Sequence, residues 1–193
     1  MADRSGYEEV RTCVAAVFNL EARLPDMVFR NPSKSTLFCE FEAVLGVDFW
    51  PALCALAQLH GDDWIHLLVL DPDGDSYYVP EYNMYPAASI ATTSSMDEYW
   101  ELISEEPSGD VTGAIVFSAE VIALTGVSGK WGCWGERSIG VAAIQGVPAD
   151  GWREKYGPLL TVNDALRQYI TPNFRKLGVP GEFASALTTN YAP

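Results

Sequence analysis

Residues 35–129 contain no lysine or arginine. This absence constrains the fold, because the carboxylates of this segment can pair only with basic residues from outside it. The same segment contains sixteen carboxylates and has a formal charge of −16, whereas the two flanking segments together carry +2. A segment of this kind cannot neutralise its own charge. Unless the flanks wrap around it, the fold must place a strongly negative face at the surface.

Such a face predicts the class of partner. It favours a basic protein or a cation, and it argues against nucleic acid or an anionic membrane. No apolar run approaches the roughly 18 residues needed to span a bilayer. The first residues lack the basic-then-apolar order of a secretory signal, so we expect a cytoplasmic protein. The alternative is that the acidity serves solubility alone.

The order of apolar patterns predicts the fold class. The 193 residues contain no repeat and no linker-like stretch, which predicts a single domain over 1–193. Helical periodicity is found at both ends, over 7–24, 161–170 and 180–187. We therefore expect an α+β fold with a central, mostly antiparallel sheet and helices at the N- and C-terminal ends.

The middle of the chain combines strand patterns with further helices. Ser95 and Glu98 match a capping box, which predicts that a helix begins there. Helices are predicted over 48–60, 96–105 and 148–156. Strands are predicted over 36–45, 64–70, 113–117, 120–124, 130–136 and 139–145. We interpret the acidic run 71–75 as the turn of a β-hairpin that returns through 77–79.

No pattern supports a cofactor or a metal. The run 71–75 copies the first three ligand positions of a calcium loop, but Ser76 and Tyr82 occupy the places of the required glycine and bidentate glutamate. The glycine-containing run 126–130 resembles a phosphate loop, yet Leu124 stands where the first glycine would be. We therefore predict no cofactor and no metal, and assign both runs to turns.

Cysteines and histidines carry the remaining reactive groups. The cysteines form no CxxC pair and have apolar neighbours, which indicates buried thiols without a disulfide framework. They are Cys13, Cys39, Cys54 and Cys133. A Cys or Ser nucleophile beside His60 or His66 would make a small hydrolase, the main alternative function. Otherwise His60 is expected to end a helix and His66 to lie in a strand.

Tyrosines are concentrated directly after the acidic run. A tyrosine ring buries a large area at small entropic loss, and its hydroxyl can satisfy a partner group, so tyrosines among carboxylates suit a basic protein surface. The predicted partner-binding residues are Asp71, Asp73, Asp75, Tyr77, Tyr78, Glu81, Tyr82 and Tyr85. The alternative is that these tyrosines pack an edge strand on the core. We expect Trp131 and Trp134 to lie in the core.

The run SGKWGCWGERSIGVA at 128–142, taken with the tyrosine-rich segment and the 96–105 helix, resembles small cytoplasmic bacterial immunity-type proteins of polymorphic toxin systems. The resemblance covers 64–145 and rests on an aromatic strand followed by Glu136-Arg137 and a small-apolar strand. It implies a non-enzymatic antidote that blocks a toxin domain, often a basic nuclease. A regulatory or scaffold subunit without a toxin partner is the third alternative.

Overall fold

The computed structural model describes residues 1–33, 35–148, 151–174 and 178–192. Its strands are β1 Thr36–Glu40, β2 Trp64–Asp71, β3 Ala87–Ala91, β4 Val121–Gly126, β5 Gly132–Glu136 and β6 Val141–Gln145. They form one sheet in the order β1-β6-β5-β4-β2-β3, and each neighbouring pair is antiparallel. The predicted α+β class, with a central antiparallel sheet, is confirmed.

Helices precede, interrupt and follow the strands. They are α1 Arg4–Val17, α2 Phe41–Val44, α3 Trp50–Leu59, α4 Val79–Tyr82, α5 Met96–Ile103, α6 Ile115–Ser118, α7 Trp152–Tyr156, α8 Val162–Ala165, α9 Thr171–Asn173 and α10 Gly181–Tyr191. Short 3-10 and π-helical turns join several of them. Among the described residues, no helix combines the length and the apolar composition that crossing a membrane requires.

The sheet is the middle of three layers. Successive side chains of a strand point to opposite faces, so a strand covered on both sides is apolar throughout. In β2, Ile65, Leu67 and Val69 join one apolar cluster and Leu68 joins the other. Strands β4, β5 and β6 are buried along their whole length.

Helices α2, α3 and α5 cover the first face. Trp50 of α3 stacks on Tyr99 of α5, with ring centroids 4.6 Å apart and nearly parallel planes. The Tyr99 hydroxyl donates to the Val44 carbonyl at 2.8 Å, and the Trp50 indole donates to the Ser94 carbonyl at 2.8 Å. These buried aromatic rings with satisfied polar ends fix the position of α5 against the sheet.

Helix α1, the segment 18–29 and helices α8 and α10 cover the second face. Asp3 begins α1 because its side chain accepts a hydrogen bond from the Gly6 amide. Tyr191 of α10 holds the segment 18–29 in place. Its hydroxyl donates to the Asp26 carbonyl at 2.6 Å and accepts from the Val28 amide at 3.0 Å.

Several local predictions are confirmed. Ser95 and Glu98 form the predicted capping box at the start of α5. Thr161 caps α8 by accepting from the Asp164 amide, as predicted. Strands β2, β4, β5 and β6 occupy most of the predicted ranges.

The predicted β-hairpin after β2 is wrong. Gly74–Tyr78 forms a π-helical turn that continues into α4, so the tyrosine-rich segment is helical. The cause is Asp73, whose side chain accepts from the Ser76 amide and so caps a helical turn. The next strand along the chain to pair with β2 is instead β3, at the edge of the sheet, and its alanine-rich sequence gives little strand signal.

The predicted strand 113–117 is also wrong. Asp110 accepts from the Thr112 amide and starts a 3-10 turn, and α6 follows it. The Ser118 hydroxyl then donates to the Ala114 carbonyl at 2.8 Å within this helical turn. Side-chain hydrogen bonds to nearby backbone therefore outweigh the β-branched composition here.

Several element boundaries differ from prediction. The strand predicted over 36–45 ends at Glu40, where α2 begins, and the helix predicted over 7–24 ends at Val17. The helix predicted over 148–156 is present as α7, while 149–150 lie outside the described residues. Each early ending follows from tertiary contacts that a single periodic pattern does not carry.

Candidate protein-binding surface

The carboxylates of 35–129 lie almost entirely at the surface. Fifteen of the sixteen are exposed, and Asp62 is the buried exception. Within the described residues, three of the exposed ones are in ion pairs: Glu42, Glu105 and Glu120. Most of the acidic charge of this segment therefore faces solvent without an ion-pair partner among the described residues.

The predicted carboxylates after β2 are all exposed. Asp71 ends β2, Asp73 caps the following turn, and Glu81 lies in α4. Asp75 accepts a hydrogen bond from the Tyr85 hydroxyl at 3.1 Å. The structure thus brings the four carboxylates onto one short, exposed segment.

The tyrosines of this segment divide into two pairs. Tyr78 has no exposed area and Tyr85 has 7%. The Tyr78 hydroxyl bonds to that of Ser118, and the Tyr85 ring stacks on Tyr7 with centroids 4.3 Å apart. These two rings pack in the interior, as in the alternative interpretation, and leave Tyr77 and Tyr82 for any outside contact.

Tyr77 and Tyr82 are half-buried and form the aromatic part of the surface. Their ring centroids are 6.1 Å apart, and the Tyr82 hydroxyl donates to Asp110 Oδ2 at 3.1 Å. The hydroxyl and amide of Thr112 both donate to Asp110 and lower the pKa of its carboxyl. Asp110 is a surface residue that our sequence interpretation missed, although Asp-x-Thr is a recognisable capping sequence.

Basic residues of α1 lie near part of this surface. Burial raises the pKa of Tyr7, Arg11 opposes that change, and Asp73 and Asp75 add to it. The three charged groups therefore share the surroundings of one ring. The N-terminal flank thus lies near Asp73 and Asp75, and further exposed acidic charge lies later in the chain.

Helix α5 carries that charge. Asp97, Glu98 and Glu101 are exposed on a helix that contains no basic residue. On the same helix Met96 is 46% exposed and Trp100 is 41% exposed. An aromatic ring at the surface among carboxylates is an arrangement that our sequence interpretation overlooked, because it assigned α5 only its inward stripe.

Asp62, the buried carboxylate, has a structural role. It accepts from the Ser128 amide at 2.7 Å, from the Ser128 hydroxyl at 2.7 Å and from the Trp131 indole at 2.9 Å. A Cβ at Gly126 would stand 2.1 Å from its Oδ2. Asp62 therefore ties the β4–β5 turn to the start of β2, and it needs glycine at 126 to do so.

The run that carries the family resemblance is largely interior. Trp131 and Trp134 are buried as predicted, and Glu136 is 3% exposed. Glu136 Oε1 accepts from the Leu24 amide at 2.7 Å and from the Trp134 indole at 2.8 Å. Burial raises the pKa of Glu136, while these two hydrogen bonds and Arg23 oppose that change.

Arg137, in the same run, connects neighbouring elements through its side chain. Its guanidinium donates to Glu42 Oε1 at 2.8 Å and to the carbonyls of Val116 and Phe117 at 2.7 and 2.9 Å. It also lies over the Phe41 ring at 4.9 Å. One basic residue thus joins α2, α6 and β5 and is fully used within the fold.

The two histidines differ in what they contact. His60 caps α3, as expected, and its Nε2 lies 2.8 Å from the Gly146 carbonyl. His66 lies in β2, as expected, with Nδ1 2.8 Å from the hydroxyl of the exposed Ser89 and with Nε2 buried and unpartnered among the described residues. Burial lowers the pKa of His66.

The thiols are not poised for nucleophilic chemistry. Cys39, Cys54 and Cys133 are buried, and Cys13 is partly buried; all four are free thiols. Burial raises the pKa of Cys39 to about 12 and that of Cys54 to about 11. Thiolate is the reactive form, so burial disfavours nucleophilic attack by both groups near neutral pH.

The described ranges contain no group of three or more His, Cys, Asp or Glu side chains arranged to hold a metal ion. Comparison with known proteins found no matching family model, no matching curated protein and no matching solved structure. Function has to be inferred from the surface itself.

Proposed function

We propose that this protein binds a basic protein partner through its exposed carboxylates, and that the partner is a nuclease-like toxin domain that it neutralises. The observation that carries the proposal is the exposure of fifteen of the sixteen carboxylates in a segment without lysine or arginine. The resemblance of 128–142 to immunity-type proteins supports the choice of a toxin as partner.

The physical basis is that the carboxylate surface of this protein takes the place of the nucleic-acid phosphates on the nuclease. A nuclease presents lysine and arginine side chains that contact phosphates. A protein surface of closely placed carboxylates can occupy those cations, and complementary charge also steers association. Tyr77 and Tyr82 add apolar area beside Glu81 and Asp110, which suits the aromatic centre of an interface.

The test uses a charge-matched pair of variants. One replaces Asp71, Asp73, Asp75 and Glu81 with their amides. The other makes the same four-charge change at exposed carboxylates outside 35–129, namely Glu9, Glu21, Asp26 and Glu182. Wild type and both variants serve as bait in cell extract at low and moderate salt, and captured proteins are identified and then purified for stopped-flow binding.

We expect the wild type to capture a basic protein with nuclease activity, which it inhibits. The first variant should associate more slowly with it and show a weaker salt dependence, and the second should match the wild type. Equal effects of both variants would contradict the placement of the contacts. Capture of a basic protein that the wild type does not inhibit would overturn the antidote role.

The contact between Ser89 and His66 favours a second candidate, a serine hydrolase. A neutral His66 can accept the Ser89 proton through Nδ1 as the hydroxyl attacks an acyl carbonyl and forms an ester. The proton then passes to the leaving group, and water hydrolyses the ester. A lowered pKa keeps His66 neutral near pH 7, as this step requires.

A fluorophosphonate probe tests this candidate directly. Labelling of the wild type that is lost in Ser89→Ala and kept in Ser128→Ala would support it, because Ser128 is also exposed but bonds to Asp62. No labelling, or equal labelling of the two variants, would exclude Ser89 as the nucleophile.

A further inference from the structure

The outer surface of α5 presents an apolar pair among carboxylates. Met96 and Trp100 are separated by four residues, so their side chains adjoin on the same side of the helix. Both are more than two-fifths exposed, while Tyr99 and Ile103 of the same helix are fully buried. The exposed pair therefore borders the buried stripe and presents an apolar edge of α5 at the surface.

The carboxylates around this pair disfavour the helix that carries them. Asp97 and Glu101 are four residues apart on α5, and like charges at this spacing repel. Glu105 is compensated by the Met1 amine at 2.7 Å, while Asp97 and Glu101 have no ion pair within the described residues. An exposed apolar pair beside carboxylates without ion pairs among the described residues is complementary to a cationic side chain that also has a flat apolar face.

We propose that Trp100 is the anchor for an arginine-rich segment of the basic partner, with Asp97 and Glu101 as the acceptors. This inference rests on the proposed function and locates the centre of its interface on α5. A planar guanidinium stacks on an indole face and at the same time donates in-plane hydrogen bonds to carboxylates. Met96 contacts the aliphatic stem of the same arginine.

Charge and shape together select this occupant. The carboxylates at Asp97 and Glu101 repel an acidic peptide or a lipid phosphate. A lysine ammonium pairs with carboxylates but is a compact, strongly hydrated charge that cannot stack as a plane. Arginine is the common side chain that uses both the ring and the carboxylates.

The α5 surface adjoins the tyrosine-rich segment. Glu105, just after α5, accepts from the Met1 amine, and Ala2 pairs with Tyr85 through two backbone hydrogen bonds of 3.1 and 3.0 Å. The first two residues of the chain therefore bridge the end of α5 and Tyr85. The apolar centre of the proposed binding surface is on α5.

The experiment compares two synthetic peptides, one rich in arginine and its counterpart with every arginine replaced by lysine. Binding is measured by calorimetry at low salt, and the indole N–H resonances are followed by NMR. Trp64→Ala is the matched control, because Trp64 is 50% exposed but alternates onto the face opposite α5. Urea unfolding verifies that each variant is folded.

We expect the wild type to bind the arginine peptide about tenfold more tightly than the lysine peptide, a typical gain for a partly desolvated cation–π contact. Trp100→Ala should remove this preference, and Trp64→Ala should keep it. The Trp100 indole resonance, identified by its absence in Trp100→Ala, should shift on titration.

A preference that persists in Trp100→Ala would overturn the anchor while leaving the proposed function intact. A wild type that binds neither peptide would also overturn the anchor, and the capture experiment with the native partner would then decide the proposed function separately. A preference lost equally in Trp64→Ala would show that exposed indoles act without regard to position, which again contradicts the anchor.

Discussion

Helix α5 and strand β5 place similar residues in opposite environments. Each combines tryptophan with carboxylates over a few residues. In α5, Trp100 and its neighbouring carboxylates face solvent, whereas in β5 Trp134 and Glu136 are buried and bonded to each other. The difference is the layer in which each element lies: β5 is a central strand covered on both faces, whereas α5 is in an outer layer and is covered only on one side.

The two environments also differ in how their carboxylates are bonded. A buried carboxylate has donors from distant segments of the chain, as Glu136 has from Leu24 and Asp62 has from Ser128. An exposed one such as Glu101 has no ion pair among the described residues. The buried kind stabilises the fold through these hydrogen bonds, whereas the charge of Glu101 faces solvent.

The largest difference in unfolding free energy is expected between alanine variants of the two tryptophans. Trp134→Ala should lower the free energy of unfolding by about 3–5 kcal/mol, because it empties a fully buried site and removes one of the two donors to Glu136. Trp100→Ala should change it by less than about 0.5 kcal/mol. Urea unfolding measures both, and a similar loss in the two variants would contradict the assigned difference between α5 and β5.

The next largest difference in unfolding free energy is expected between alanine variants of two adjacent carboxylates. Asp62→Ala removes the acceptor of three hydrogen bonds and should cost about 3 kcal/mol of unfolding free energy. Asp63→Ala, one residue away and exposed, should cost less than about 0.5 kcal/mol. Thermal unfolding of the two variants is the measurement. A loss of stability in Asp63→Ala similar to that in Asp62→Ala would refute the structural role assigned to Asp62.

A pH-dependent effect should appear at Glu136. Its pKa is raised above 4.5 in the folded protein, so the folded state binds its proton more tightly than the unfolded state. This contribution to stability is full at low pH and is lost as pH rises through the folded pKa. Each tenfold difference in proton affinity between the two states is worth about 1.4 kcal/mol. The variant Glu136→Gln lacks this titration.

We therefore expect the stability advantage of the wild type over Glu136→Gln to shrink between about pH 4 and pH 7. Urea unfolding at both pH values measures it. An advantage that grows with pH would mean that the hydrogen bonds from Leu24 and Trp134 outweigh burial and lower the folded pKa instead.

The smallest effect is expected on the exposed side, in α5. Glu101→Lys replaces a repulsion from Asp97 with an attraction and should raise the unfolding free energy by about 0.5 kcal/mol. The same change should weaken binding of the arginine peptide. Glu101→Gln, which only removes the repulsion, should lie between wild type and Glu101→Lys in both measurements; loss of stability in Glu101→Lys would contradict the argument.

The elements that could be predicted are those with local signals. The capping box of α5 and the Thr161 cap lie within four residues and were predicted correctly. The apolar runs of β2, β4 and β6 are equally local. The helical course of Gly74–Tyr82 was missed because the turn-forming residues 71–75 fit a hairpin as well as a capped helix, and burial of Tyr78 decides between them.

The candidate surface was predictable in charge but not in shape. The absence of basic residues from 35–129 indicated exposed carboxylates, and fifteen of sixteen are exposed. Which tyrosines face inward depends on contacts with Tyr7 and Ser118, distant in sequence. The exposure of Trp100 depends on how α5 is rotated by the stack of Tyr99 on Trp50.

Two glycines of β5 let a side chain from each outer layer pack directly against the backbone of this strand, which larger residues would prevent. A Cβ at Gly132 would stand 2.5 Å from the Phe18 ring, and a Cβ at Gly135 would stand 2.9 Å from the Phe41 ring. The two rings belong to opposite layers and press against the same strand. Neither layer can separate without uncovering the backbone of a central strand, so the two layers should unfold in a single cooperative transition.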